Sequence, residues 1–107
     1  MVDFDGVLRQ LGQGPDGPAV KGAVAAMRGL KAMGYNIVVH TVRAGNGPEA
    51  IKRVTDWLDE HKVEYDSVTN KKLDADHYID DKAIQFNGNW RPVIDRVLPK
   101  DTAEKGV

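Results

Sequence analysis

The chain contains no cysteine. That excludes disulfides, thiolate zinc sites and cysteine nucleophiles. It also lacks an excess of either charge: fifteen Lys and Arg stand against sixteen Asp and Glu, for a net charge of −1. Such a surface has no broad basic field to drive non-specific nucleic-acid binding, although a small positive patch is compatible with it. No apolar run approaches the roughly 18 residues of a membrane span. The start shows no basic stretch leading into an apolar one, so the sequence reads as cytoplasmic and without a membrane partner. What is present fits a single domain: 107 residues, 41% hydrophobic and 29% charged, enough for one core. Residues 1–98 are expected to form that domain and residues 99–107 a frayed tail.

Apolar spacing divides the domain into alternating strands and helices. Met1 to Phe4 is a very short extended piece, after which Gly6 permits a sharp turn. RQLGQGPDGP is a loop rich in Gly and Pro. From Pro18 the spacing of Val20, Val24, Met27 and Leu30 predicts a helix, with Gly34 closing it. YNIVVHT is a short β-branched run, the pattern of a strand buried on both faces. After the Gly-rich RAGNGP, Pro48 stands as the first residue of a second helix carrying Ile51, Val54, Trp57, Leu58 and His61. A weak strand is expected over Val63 to Val68, another at HYIDD, and an extended piece at AIQFNGNW. Val93, Ile94, Val97 and Leu98 predict a last helix. Trp57 and Trp90 are read as core residues.

Strands alternating with helices imply right-handed crossovers and a central parallel sheet. The expected fold class is α/β: a three-layer, Rossmann-like sheet flanked by helices. In such sheets ligands bind beyond the carboxyl ends of the strands. Asp3, Thr41 and Asp80 each close a predicted strand, so the fold gathers them at one edge.

If Asp3, Asp5 and one of Asp80 and Asp81 converge there, they need a cation. Two unit charges about 4 Å apart repel by about 4 kcal/mol at an effective dielectric of roughly 20. An all-oxygen carboxylate set with open positions suits Mg²⁺. Taken singly, each piece has a plainer explanation. Asp3-Phe4-Asp5-Gly6 alone is as readily a turn, and as a calcium loop it fails at Val7 and Leu8. Asp80-Asp81 alone is a strand end or a cap, Lys71-Lys72 a solvated pair. His40 and His77 read as strand or edge histidines. Together, these residue types at successive strand ends are much harder to obtain by accident.

DFDGVL, then VVHT, then KK, then YIDD resembles, in order and spacing, the haloacid dehalogenase (HAD) superfamily of aspartate-nucleophile phosphohydrolases. The resemblance covers Asp3 to about Trp90. It implies a HAD-like fold and a Mg²⁺-dependent phosphatase (a hydrolase of phosphomonoesters). Asp3 would be the nucleophile that carries the aspartyl-phosphate. Asp5 would protonate the leaving oxygen and then deprotonate water. Thr41, with the backbone N–H groups of Val42 and Arg43, would bind phosphoryl oxygens, and Lys72 would offset their charge. The metal would be held by the Asp3 carboxylate, the Asp5 main-chain carbonyl and a member of the Asp80-Asp81 pair, Asp81 before Asp80. The chain departs from the family where Val7 replaces a hydroxyl residue, where Leu73 replaces the proline after the lysine, and in the shortness of the stretch before Asp3.

The segments between Asp5, Thr41 and Lys72 are too short for a cap domain. A site without a cap is open to phosphates on small molecules or on the ends of macromolecules. Thr41-Val42-Arg43, MGYNIVV and IDDK also resemble the phosphatase half of phage polynucleotide kinase, which implies a 3′-phosphatase for nucleic-acid ends as the alternative. A second alternative is a catalytically silent HAD-like binding protein. A receiver-type phospho-acceptor is disfavoured by order, since there the acidic pair comes first and the lysine last.

Overall fold

A computed structural model of the chain describes residues 1–12, 14 and 16–98. The expected tail at 99–107 lies outside the described residues. Three short parallel strands, β1 (Val2–Asp3), β2 (Val38–His40) and β3 (Ser67–Thr69), pair in the order β1-β2-β3. Helix α1 (Ala23–Ala32) connects β1 to β2, and α2 (Pro48–Glu60), entered through a 3₁₀ turn (Val42–Asn46), connects β2 to β3. A short helix, α3 (Arg91–Val97), ends the described chain.

Register sorts the side chains. Val2 lies opposite Val39 and Val39 opposite Val68, whereas Asp3 pairs with His40 and His40 with Thr69. Because side chains alternate along a strand, the valines share one face and Asp3, His40 and Thr69 the other. Val2 and Val39 belong to the core, with Phe4, Leu8 and Ile37, Ala23 and Met27 of α1, and Val54, Trp57 and Leu58 of α2. Both helices therefore cover the valine face. Among the described residues no helix adds a buried side chain on the Asp3–His40 face. The chain is thus a small α/β domain with a parallel sheet, its buried core on one side.

Phe4 meets the Trp57 ring edge to face at 5.1 Å, and the indole N–H donates to the Gly17 carbonyl at 2.8 Å. One aromatic pair thus joins the end of β1, α2 and the long first loop. Burying each ring is worth about 2–3 kcal/mol.

Several boundaries depart from the apolar pattern for local reasons. Helix α1 starts at Ala23, not near Pro18, because Val20 donates its N–H to the Leu8 carbonyl at 2.7 Å and Ala19 bridges Arg9. Those pairings hold the backbone extended until Gly22, at φ 87°, releases it. Pro48 does open α2. After α2 the chain turns through Lys62 at φ 59°, and Val63 drops into the core with its N–H on the Leu58 carbonyl at 2.8 Å. This turn moves the strand along to Ser67–Thr69. HYIDD forms one bridge in place of a full strand: Ile79 pairs in parallel with Val2, on the side of β1 away from β2. Trp90 is not core. It is 65% exposed and packs against Phe86, with ring centres 4.9 Å apart, while Ile94, Val97 and Leu98 are also exposed. Among the described residues, those beyond Asp81 contribute no side chain to the core cluster.

No inserted domain interrupts the described chain between Asp5 and Thr41, which holds α1, or between Thr41 and Lys72, which holds α2. No helix among the described residues is long and apolar enough to cross a membrane.

Candidate functional site

The parallel ladder assembles the acidic residues. The Ile79 N–H donates to the Met1 carbonyl and the Asp3 N–H to the Ile79 carbonyl, each at 2.9 Å. Ile79 is thereby fixed beside Val2, and the next residue, Asp80, is carried alongside Asp3. Carboxylate oxygens of Asp3, Asp80 and Asp81 all lie within 4.8 Å of one another. Asp80 is shaped locally, its Oδ1 accepting the Lys82 N–H at 2.7 Å. Asp81 lies against Gly6. A Cβ built on Gly6 would sit 3.0 Å from Asp81 Cγ and would collide with Asp81 Oδ2. Gly6 also has φ 86°, a conformation that suits glycine and strains other residues. The glycine that turns the chain after Asp5 is therefore also the floor on which Asp81 rests.

Asp5 points elsewhere. Its Oδ1 accepts from Arg9 Nε at 2.7 Å and from Arg43 Nη2 at 3.1 Å. The sequence reading brought the Asp5 side chain into the acidic group; in the structure two guanidiniums hold that carboxylate instead. The cause is the turn itself. Leu8 and Arg9 both donate their N–H to the Phe4 carbonyl at 3.0 Å, which brings the Arg9 side chain back onto Asp5.

A cleft of about 290 Å³ opens beside the acidic group, lined among others by Asp3, Asp80, His40, Lys72 and Tyr78. The Lys72 ammonium sits over the Tyr78 ring, 5.2 Å from its centre. Tyr78 in turn braces the turn that carries the lysine, donating to the Leu73 carbonyl at 2.6 Å and accepting the Ala75 N–H at 3.1 Å. Lys71 is exposed and does not line this cleft; its N–H donates to Thr69 Oγ1 at 3.1 Å.

Thr41 is buried at the end of β2, its N–H donating to the Thr69 carbonyl at 3.0 Å. Its hydroxyl oxygen caps the following 3₁₀ turn by accepting the Arg43 N–H at 3.2 Å. Val42 is 76% exposed at the first position of that turn. The Arg43 guanidinium packs over the Phe4 ring, 5.5 Å from its centre, and thereby reaches Asp5.

Two residues carry more of the site than their sequence context indicated. His40 Nδ1 lies 3.2 Å from Asp3 Oδ1, with the carboxylate as acceptor, so this histidine touches the acidic group. Arg9 is buried, at 6% exposure, and clamps Asp5. Alternation could have found His40, since every second strand residue shares a face with Asp3 in the paired strand. Arg9 lies in a loop with no periodicity, and its four-residue distance from Asp5 carries no meaning until the turn is known.

Three carboxylates at this spacing, with nothing but oxygen to offer, have the donor chemistry of a hard divalent cation. Gly6, with no Cβ, lets Asp81 come close enough to join that set. A larger cavity of about 710 Å³ opens near the starts of the strands, between the end of α1 and the 73–79 turn; Leu30, Met33, Tyr35 and Leu73 help line it, and none of Asp3, Asp5, Asp80 or Asp81 does. Its size does not outweigh the chemistry gathered in the smaller cleft. Compared with known proteins, the chain matches no family model, no curated protein and no solved structure.

Proposed function

We propose that the chain is a Mg²⁺-dependent phosphomonoester hydrolase of capless HAD type, acting through an aspartyl-phosphate on Asp3. The observation that carries this reading is the meeting of Asp3, Asp80 and Asp81 within 4.8 Å, in and beside a cleft that Lys72 also lines. The order of chain segments across the sheet supports it as well. Ile79 flanks β1 on one side and β2 on the other, so the first and last acidic motifs are neighbours. The architecture proposed with it is the three-layer, Rossmann-like one, in which the Asp3–His40 face of the sheet is also covered.

An Asp3 carboxylate oxygen attacks phosphorus while the bond to the leaving oxygen breaks, and Asp5 gives that oxygen a proton. Asp5 then takes a proton from water, whose oxygen attacks the phosphoryl group and releases inorganic phosphate and free Asp3. Splitting the displacement into two steps makes each easier. The Thr41 hydroxyl and the Val42 N–H orient the phosphoryl oxygens, with the Arg43 N–H holding the Thr41 oxygen in place, and the Lys72 ammonium offsets their charge. Asp3, the Asp5 carbonyl and Asp81, with Asp80 beside it, would hold Mg²⁺, which would supply positive charge between the two anions.

The test is hydrolysis of an aryl phosphate by the wild type and by Asp3→Asn, with and without Mg²⁺. The variant should lose roughly a thousandfold or more. Equal rates would defeat the enzyme reading and leave a silent HAD-like binding protein. A second reading, a 3′-phosphatase for nucleic-acid ends, is favoured by the absence, among the described residues, of an inserted domain between Asp5 and Lys72 and by Arg43 beside Asp5. Comparing a 3′-phosphorylated oligonucleotide with sugar and nucleotide phosphates separates the two, because a dedicated end-processing enzyme should prefer the oligonucleotide strongly.

A further inference from the structure

We infer that Arg9 is a positioning residue for the acid–base step, holding the Asp5 carboxylate in one orientation by clamping a single oxygen. The inference rests on the proposed function, in which Asp5 exchanges a proton with the leaving group and with water.

A buried guanidinium is costly unless it is paired and hydrogen-bonded. The Arg9 side chain is only 7% exposed and meets that requirement three times. Nε donates to Asp5 Oδ1 at 2.7 Å, while Nη1 donates to the Gln10 carbonyl at 3.0 Å and to the Gly14 carbonyl. Its backbone is fixed by the same turn. The Arg9 N–H donates to the Phe4 carbonyl at 3.0 Å, and the Arg9 carbonyl accepts the Gly6 N–H at 2.8 Å. Both ends of Arg9 are thus tied to the two residues that flank Asp5. Arg43 reaches the same oxygen over a longer distance, 3.1 Å, from a more open position. Two donors on Oδ1 leave Oδ2 as the oxygen with no hydrogen bond among the described residues. Oδ2 is therefore the oxygen left free to hydrogen-bond with a ligand. General acid–base catalysis needs that oxygen within hydrogen-bond reach of its target in every turnover, and a carboxylate free to rotate would meet this only part of the time.

A residue that merely staples the loop would look similar in a static structure, so the test must separate the two roles. Arg9→Met, Asp5→Asn and the double variant are compared on an alkyl phosphate at saturating Mg²⁺. Arg9→Met should lower kcat by roughly ten- to a hundredfold with KM within about twofold of the wild type. In the Asp5→Asn background the same change should cost less than about threefold, because Arg9 would have nothing left to position. An equal loss in both backgrounds, or an unchanged kcat in Arg9→Met, overturns the inference while leaving the phosphatase reading intact. A wild type inactive on every phosphate overturns both. Should Arg9→Met fail to fold, Arg9→Lys takes its place in the same cycle, since it keeps the charge and loses the fixed fork geometry.

Discussion

Gly6 shows how one backbone position ties folding to chemistry. Its φ of 86° costs a non-glycine residue about 1–2 kcal/mol, and the new Cβ of an alanine would run into the Asp81 carboxylate. Gly6→Ala should therefore lower stability by about 1–3 kcal/mol in chemical denaturation. Under the proposed function it should weaken Mg²⁺ binding as well, because Asp81 is displaced. An alanine variant with wild-type Mg²⁺ affinity, measured by calorimetry, would show that Asp81 does not need this floor. At the same scale, legibility in the sequence was uneven. That Asp3 and Asp80 come to one sheet edge was readable from their places at strand ends, whereas Lys72 was singled out by the motif order of the resemblance alone. Arg9 was not, since a loop gives spacing no direction. Trp90 was misread: a tryptophan in a short chain is assumed to be buried, and among the described residues this one stays exposed against Phe86.

Helices and strands were legible wherever punctuation and periodicity agreed. Pro48 and the run Val54, Trp57, Leu58 marked α2, and Gly34 stopped the chain after α1 at φ 91°. Boundaries failed where a distant backbone partner took over, as Leu8 did with Val20. How the elements are held together is also a matter of such partners, and Asp66 is the clearest case. Its carboxylate accepts from Lys31, in the last turn of α1, at 2.8 and 2.9 Å, and from the Ile37 N–H just before β2 at 2.6 Å. The Lys31 hydrogen bond first, and the Ile37 N–H second, pull its pKa below the usual 3.8. A depressed carboxylate pKa adds stability that is complete above the unfolded value and is lost as pH falls through the folded one. Wild type should therefore lose stability below about pH 4 more steeply than Asp66→Asn, which starts lower at neutral pH and has no such group to protonate. Urea denaturation of both proteins between pH 7 and pH 3 checks this. Parallel curves would mean that the α1–β2–β3 junction does not depend on this carboxylate.

For the molecule as a whole, the decisive fact is an acidic group beside an open cleft on a small domain with its buried core on one side of the sheet. Assembling Asp3, Asp80 and Asp81 within 4.8 Å works against folding in the absence of a cation, since each close pair repels by about 4 kcal/mol at a dielectric of roughly 20 and about 4 Å, less where solvent screens it. Asp80 and Asp81 are both exposed, so the screening is substantial and the net penalty is a fraction of that figure. Two opposite consequences follow under the proposed function. With Mg²⁺ at a hundred times its dissociation constant, mass action should add about 2.7 kcal/mol to wild-type stability, a rise in Tm on the order of 10 °C for a domain of this size. Asp81→Asn should instead raise the Tm slightly in EDTA, because one repelling charge is gone, and should lose most of the rise that Mg²⁺ gives the wild type. The pair of signs matters more than either magnitude. A metal site makes Asp81 unfavourable without Mg²⁺ and favourable with it, whereas a cluster that is only surface charge gives the first effect alone. Thermal melts of both proteins in EDTA and in Mg²⁺, with NaCl at matched ionic strength as a control for nonspecific screening, read the difference directly. A Tm rise of equal size in wild type and Asp81→Asn would remove Asp81 from the metal set.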